Sequence, residues 1–130
     1  MKRTIQINLL ILFILSIVAC SNSKLIEVKD ANNTVIEKYV VNKEGLKDGL
    51  YEAFYSNGVL KERAQYVNNK LQGERKIFYK NGNLEIEELY DNDVLIGEYK
   101  NYDENGNLIL LAQYVDGAMN GILTSYYSDG

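Results

Sequence analysis

The chain has 130 residues and a formal net charge of −4 at pH 7, with one cysteine and no histidine, proline or tryptophan. Without histidine, no Ser-His-Asp or Cys-His nucleophile can be assembled, and the commonest metal ligand is missing. A lone cysteine excludes both a disulfide framework and a thiolate metal cluster, and the length allows one small domain.

The N-terminus reads as an address. Lys2 and Arg3 precede an apolar stretch from about Ile5 to Val18, interrupted by Gln6, Asn8 and Ser16 and closed by small Ala19 before Cys20. This pattern predicts a helical secretory signal over residues 1–19. It is short for a membrane span, which needs roughly 20 apolar residues. The "IVAC" of residues 17–20 resembles the lipobox of bacterial lipoproteins, in which the cysteine is diacylated and becomes the new N-terminus. The resemblance implies lipid attachment at Cys20, a lipidated tether over residues 20–24, and an exported, membrane-anchored lipoprotein of the bacterial cell envelope. An uncleaved anchor or a plain signal peptide would also place the rest of the chain outside the cytosol. Two or three acyl chains give stable anchoring where one does not. Removing residues 1–19 takes away Lys2 and Arg3 and no acid, which moves the net charge from −4 to about −6. An acidic domain is repelled by phosphates and anionic head groups, so no nucleic-acid partner is expected and the membrane is reached through Cys20 alone.

Residues 25–48 alternate apolar and polar side chains on either side of Asn32-Asn33, which predicts a degenerate capping hairpin with an insertion around Lys43 to Leu46. From there the chain repeats. Gly49, Gly73, Gly97 and Gly121 recur every 24 residues, and so do Gly58, Gly82, Gly106 and Gly130. Leu60, Leu84 and Leu108, then Tyr66, Tyr90 and Tyr114, keep the same period, and the fifth residue after each leading glycine is Phe54, Phe78, Tyr102 or Tyr126. This divides the chain into units 49–72, 73–96 and 97–120 and a half-unit 121–130.

Each unit has the grammar of a β-hairpin, with short aromatic or branched strands on either side of "SNG", "KNG", "ENG" or "SDG". Glycine after Asn or Asp supplies positive φ for a tight turn. A two-residue Asn-Gly loop and a three-residue loop with glycine at the bulge both fit. The three-residue loop pairs Phe54 with Leu60 and puts Tyr66 on their face, giving one apolar row per hairpin. The leading glycines Gly49, Gly73, Gly97 and Gly121 would mark the connections between hairpins. The predicted fold is all-β, an elongated single-layer antiparallel meander of stacked hairpins after the helical signal. The strand of residues 122–127 would form a bare edge open to self-association.

The unit resembles a MORN-type repeat, in the bacterial variant that reads Y-x-N-G-x-L … Y … G, over Phe54–Tyr66, Phe78–Tyr90, Tyr102–Tyr114 and residues 121–130. Some bacterial proteins of this variant are described as antitoxins, so the resemblance allows an antitoxin or immunity protein as an alternative function.

Catalytic chemistry has few candidates. Glu85 and Glu87 lie two apart on a strand, roughly 6.5–7 Å from each other, which allows a glycoside hydrolase as a remote alternative. Their equivalents are Lys61 and Arg63 in one unit and Ile109 and Leu111 in another, so a solvated face paired to Lys61 or Arg63 fits better. "DENGN" at 103–107 resembles half a calcium loop, but the twelfth position is Tyr114, where a bidentate glutamate is needed. No metal and no cofactor is expected. The notable excess is tyrosine, eleven in all. Tyr51, Tyr55, Tyr79, Tyr99 and Tyr127 fall opposite the expected apolar row and form a candidate binding surface, since tyrosine combines apolar area with a hydroxyl. The expected protein is a non-enzymatic cell-envelope lipoprotein whose repeat sheet binds a protein or ligand.

Overall fold

A computed structural model describes residues 22–126. The expected signal segment, Cys20 and Tyr127 lie outside the described residues. A single antiparallel sheet runs in chain order through β1 (Lys24–Lys29), β2 (Val35–Val41), β3 (Lys47–Phe54), β4 (Leu60–Val67), β5 (Lys70–Phe78), β6 (Leu84–Asp91), β7 (Val94–Tyr102) and β8 (Leu108–Val115). Two short strands, β9 (Ala118–Met119) and β10 (Thr124–Ser125), both pair with β8. The described region is thus the expected open all-β meander.

At one rim the hairpin loops have three residues. In the β3–β4 loop, the Tyr55 N–H donates to the Val59 carbonyl and the Gly58 N–H donates to the Tyr55 carbonyl, both at 2.8 Å. The same pair of bonds closes the loops at Tyr79–Asn83 and Asp103–Asn107. Only the third loop residue is left-handed, with φ of 81° at Gly58, 90° at Gly82 and 89° at Gly106. Asp103 belongs to this turn. Its carboxylate accepts the backbone N–H groups of Asn105 and Asn107 and the Asn107 side-chain amide. Those bonds, the Asn107 side chain's first, hold the carboxyl below its usual range. "DENGN" is a turn, its acid engaged by its own backbone.

The pairing of Phe54 with Leu60 is as expected, but the next pair is Ala53 with Glu62, which leaves Lys61 as a bulge. Glu85 and Ile109 are skipped in the same way. One extra residue exchanges the faces of everything beyond it. Tyr66 therefore pairs opposite Gly49 and shares a face with Tyr51 and Ala64, whereas Phe54 shares a face with Glu52 and Arg63. The expected single row of Phe54, Leu60 and Tyr66 is corrected on this point. The loop has three residues, yet the bulge restores the register of a two-residue loop.

The connections between hairpins are also corrected. The chain reverses at Asn68-Asn69, Asn92-Asp93 and Asp116-Gly117, two-residue turns in which every residue has positive φ, from 49° to 77°. That is the signature of the type I′ turn that suits right-twisted strands. The leading glycines lie inside strands instead. Across β4 and β5, Ala64 pairs with Arg75 and Tyr66 with Leu71, so β5 carries two more residues than its partner around Gly73. Gly73, at φ 88°, absorbs the excess in a conformation that costs other residues about 1–2 kcal/mol. Gly49 and Gly97 do the same in β3 and β7.

The same excess explains the last strand. Leu111 pairs with Thr124 and Tyr114 with Met119, which again leaves two extra residues on the later strand. In β5 and β7 the next strand holds the bulged segment in place. Beyond β9 and β10 the described residues provide none, and the strand parts at residues 120–123. Of the expected edge strand at 122–127, the described residues form a strand only at Thr124–Ser125.

Candidate functional site

The register assigns two faces. One carries Tyr39, Tyr51, Tyr66, Tyr90, Tyr99 and Tyr114, with Ala53, Ala64 and Ala112 between them. Ala64 is fully buried, and Tyr51 retains 9 % of its surface. In two hairpins a tyrosine sits directly across from an alanine, as Tyr51–Ala64 and Tyr99–Ala112. The middle hairpin substitutes Arg75 and Glu88 for that pair. Arg75 Nε lies 2.7 Å from Glu62 Oε1 and its Nη1 2.8 Å from Glu88 Oε2, and Tyr90 Oη donates to the same Glu88 oxygen at 3.3 Å. Burial disfavours the Arg75 charge, and the hydrogen bonds to Glu62 and Glu88 outweigh it, so the guanidinium is held more firmly protonated than usual.

The opposite face is a ladder of charge. Arg63 reaches Glu52 at 2.7 Å, Lys76 reaches Glu87 at 3.2 Å, and Lys100 lies 3.8 Å from Glu87 and 2.9 Å from Glu98. Glu87 is therefore paired with the strands on either side. Pairing of Glu85 or Glu87 with Lys61 or Arg63 does not occur, because β5 stands between β4 and β6. Such exposed pairs set register more than they stabilise. Among the described residues, no cluster of three or more acidic, histidine or cysteine side chains is arranged to hold a metal ion.

The tyrosines singled out from the sequence separate into three environments. Tyr51 is buried rather than exposed, because the bulge at Lys61 turns it onto the same face as Tyr66. Tyr99 is half-buried, with its ring 6.2 Å from that of Tyr114. Tyr55 and Tyr79 lean over the next hairpin, each donating its hydroxyl at 2.8 Å to a backbone carbonyl, of Phe78 and Tyr102 respectively. These two tie neighbouring loops together along the rim. Tyr127 is outside the described residues. The structure does not bring the four described tyrosines, Tyr51, Tyr55, Tyr79 and Tyr99, together as one surface.

Exposed apolar side chains gather at the broken end of the sheet, with Leu25 of β1 exposed separately at the other end. Met119 is 54 % exposed, Ile122 84 %, Leu123 49 % and Tyr126 44 %. The Tyr126 N–H still donates to the Ile109 carbonyl at 2.9 Å, so the segment holds to β8 on one side and presents apolar side chains and, among the described residues, an open strand edge on the other. A sequence signal for this existed. Gly121, Ile122 and Leu123 replace the polar Gly73-Glu74-Arg75 and Gly97-Glu98-Tyr99 of the interior strands.

Burial pushes the Tyr51 phenol up to about 12, helped by the Glu37 and Glu62 carboxylates, and burial also raises Tyr66, Tyr90 and Tyr99. An unfolded tyrosine titrates near 10. Raised folded-state values mean that the native chain retains protons the unfolded chain has lost, so stability falls as pH rises. The stabilisation is complete below pH 10 and is expected to drain away between pH 10 and 12. Urea midpoints measured across that range should fall steeply for the native chain and less steeply for Tyr51→Phe. Identical profiles would show that Tyr51 contributes nothing to the alkaline loss.

A sheet of stacked hairpins, periodic at 24 residues and held by tyrosine rows and tight turns, defines a β-hairpin repeat protein. The MORN repeat variant model matches residues 47–68, 71–92 and 95–116, three spans of 22 residues in a chain of 130. The chain belongs to the MORN repeat variant family. Each matched span begins just ahead of a strand glycine and ends at a type I′ turn. No curated protein and no solved structure matches the chain. MORN repeats are generally non-enzymatic and often serve as protein or membrane interaction modules.

Proposed function

We propose that this chain is a non-enzymatic interaction protein of the cell envelope, held to a membrane through acylated Cys20, and that its open edge receives an extended segment of a partner protein. The observation that carries the reading is the broken edge at residues 118–126, where the outer sides of β9 and β10 meet no other strand among the described residues and Ile122 is exposed. An open edge offers main-chain hydrogen bonds to an added strand, and alternate side chains on it give specificity. The lipobox-like Ile17–Cys20 supports attachment, and the acidic balance of the domain supports contact through protein rather than through phosphates. The test places a photo-crosslinking residue at position 122 of the full chain in cells. The expected result is an adduct with another protein, abolished by Thr124→Pro, which removes a backbone donor that holds β10 to β8 and so dislodges the edge. An adduct of two copies of the chain would make the edge a self-association site instead. Absence of any adduct, or one indifferent to Thr124→Pro, would sink the proposal. Acyl-chain labelling with a Cys20→Ala control checks the anchor separately.

A further inference from the structure

The tyrosine face holds a cation where its neighbours hold hydrocarbon. Lys47 occupies the position that Leu71, Leu95 and Met119 fill one, two and three periods later. Its Nζ lies 4.4 Å from the centroid of the Tyr51 ring, 4.8 Å from that of Tyr39 and 5.2 Å from that of Tyr66. The rings themselves form one group, Tyr39 stacked on Tyr51 at 6.4 Å and Tyr66 set edgewise to Tyr51 at 5.7 Å. Three aromatic rings around one ammonium is the arrangement that recognises quaternary ammonium ligands, through the negative faces of the rings. Glu37 and Glu62 pair on either side of Ala53 on the same face and add negative potential.

Two further features distinguish this group from ordinary packing. The corresponding position of Tyr51 is Arg75 in the next hairpin, so the three-ring arrangement is not a simple product of the repeat. The backbone of Lys47 is also pinned independently of its side chain. Its N–H donates to Asn69 Oδ1 at 2.6 Å and its carbonyl accepts the Asn69 N–H at 2.8 Å. No ion pair among the described residues includes Lys47. The side chain can therefore swing out of the rings without moving the strand.

We propose that Tyr39, Tyr51 and Tyr66 form a binding site for a trimethylammonium group, with Lys47 as its tethered and displaceable occupant. The inference is independent of the partner proposed for the β9–β10 edge, which lies at the other end of the sheet. The chemistry is shared by a choline-type head group and a trimethylated lysine, and both are used as probes. The chain has no tryptophan, so tyrosine emission is the readout; three of the eleven tyrosines line the site, and the Tyr39 and Lys47 variants assign any change to it. Full-length chain in detergent is titrated with choline, with Nε-trimethyl-lysine, and with 3,3-dimethyl-1-butanol, the neutral isostere of choline.

The expected result is a saturable change with at least one cationic probe and none with the neutral isostere. Lys47→Ala is expected to tighten binding about fivefold by removing the competitor, and Tyr39→Leu to weaken it by a similar factor, as loss of one cation–π contact implies. The tighter of the two cationic probes identifies the source of the group. Tyr39→Leu is preferred to a change at buried Tyr51, and its folding is checked by circular dichroism. If Tyr39→Leu unfolds, Tyr39→Phe, which keeps the ring, must bind as the native chain does. Four outcomes would overturn the proposal: no saturable response to either cation, an equal response to the isostere, no change in Lys47→Ala, or binding by Lys47→Ala with the native chain silent. The last would make Lys47 a permanent plug.

Discussion

Arg75→Ala is expected to lower the unfolding free energy by about 2–3 kcal/mol, somewhat less than the 3–5 that follows breaking a fully buried ion pair. The side chain is 23 % exposed, and its two partners, Glu62 and Glu88, are 20 % and 9 % exposed. Removing the guanidinium leaves two carboxylates facing each other across β5 with little water to replace it. The repeat itself supplies the rescue. Arg75→Tyr with Glu88→Ala installs the pair found as Tyr51–Ala64 and Tyr99–Ala112, which fills the same space without a charge. Replacing a buried pair by matched apolar groups is often neutral or better. The double variant should therefore regain most of what either single change loses, with Glu62 left to hydrate at the margin. Urea midpoints of the two singles and the double give the coupling directly. Additive losses would show that Arg75 and Glu88 act through other neighbours.

Much of the sheet was legible in the residues because turns impose local chemistry. Gly58, Gly82 and Gly106 mark the three-residue loops, and their period marks the hairpins. What was hidden is equally physical. A bulge at Lys61, Glu85 or Ile109 needs no particular residue type, since no left-handed backbone occurs there, so nothing in the sequence flags the exchange of faces. That one residue moved Tyr51 from the expected exposed surface into the core. The Asn68-Asn69 and Asn92-Asp93 turns were overshadowed by Gly73 and Gly97 nearby, although asparagine and aspartate tolerate the left-handed region well. The glycines proved to be strand bulges, placed opposite Tyr66, Tyr90 and Tyr114. The departures at Arg75 and Glu88 were readable as breaks in the period. Their significance required the register that sets them face to face. Lys47 among Leu71, Leu95 and Met119 was another such break.

Tyr51→Ala is expected to be the most damaging single truncation on the tyrosine face, at about 3–4 kcal/mol by analogy with large aromatic deletions. A single-layer sheet has no second layer to collapse into the space. No large side chain in the described region is fully buried, so the covered core of the first hairpins rests on Tyr51, Ala53 and Ala64. Tyr51 contacts Tyr39 on one side and Tyr66 on the other, and its loss separates them. Tyr55→Phe provides the contrast, since it keeps the ring and removes one hydroxyl bond to the Phe78 carbonyl, worth about 1 kcal/mol. In a repeat sheet each hairpin contacts only its neighbours, so damage remains close to its origin. Amide exchange should therefore accelerate first in β1–β4 of Tyr51→Ala, while β7 and β8 stay protected until global unfolding. Uniform acceleration across all strands would mean that the hairpins unfold as one cooperative unit, and the nearest-neighbour view of this sheet would then fail.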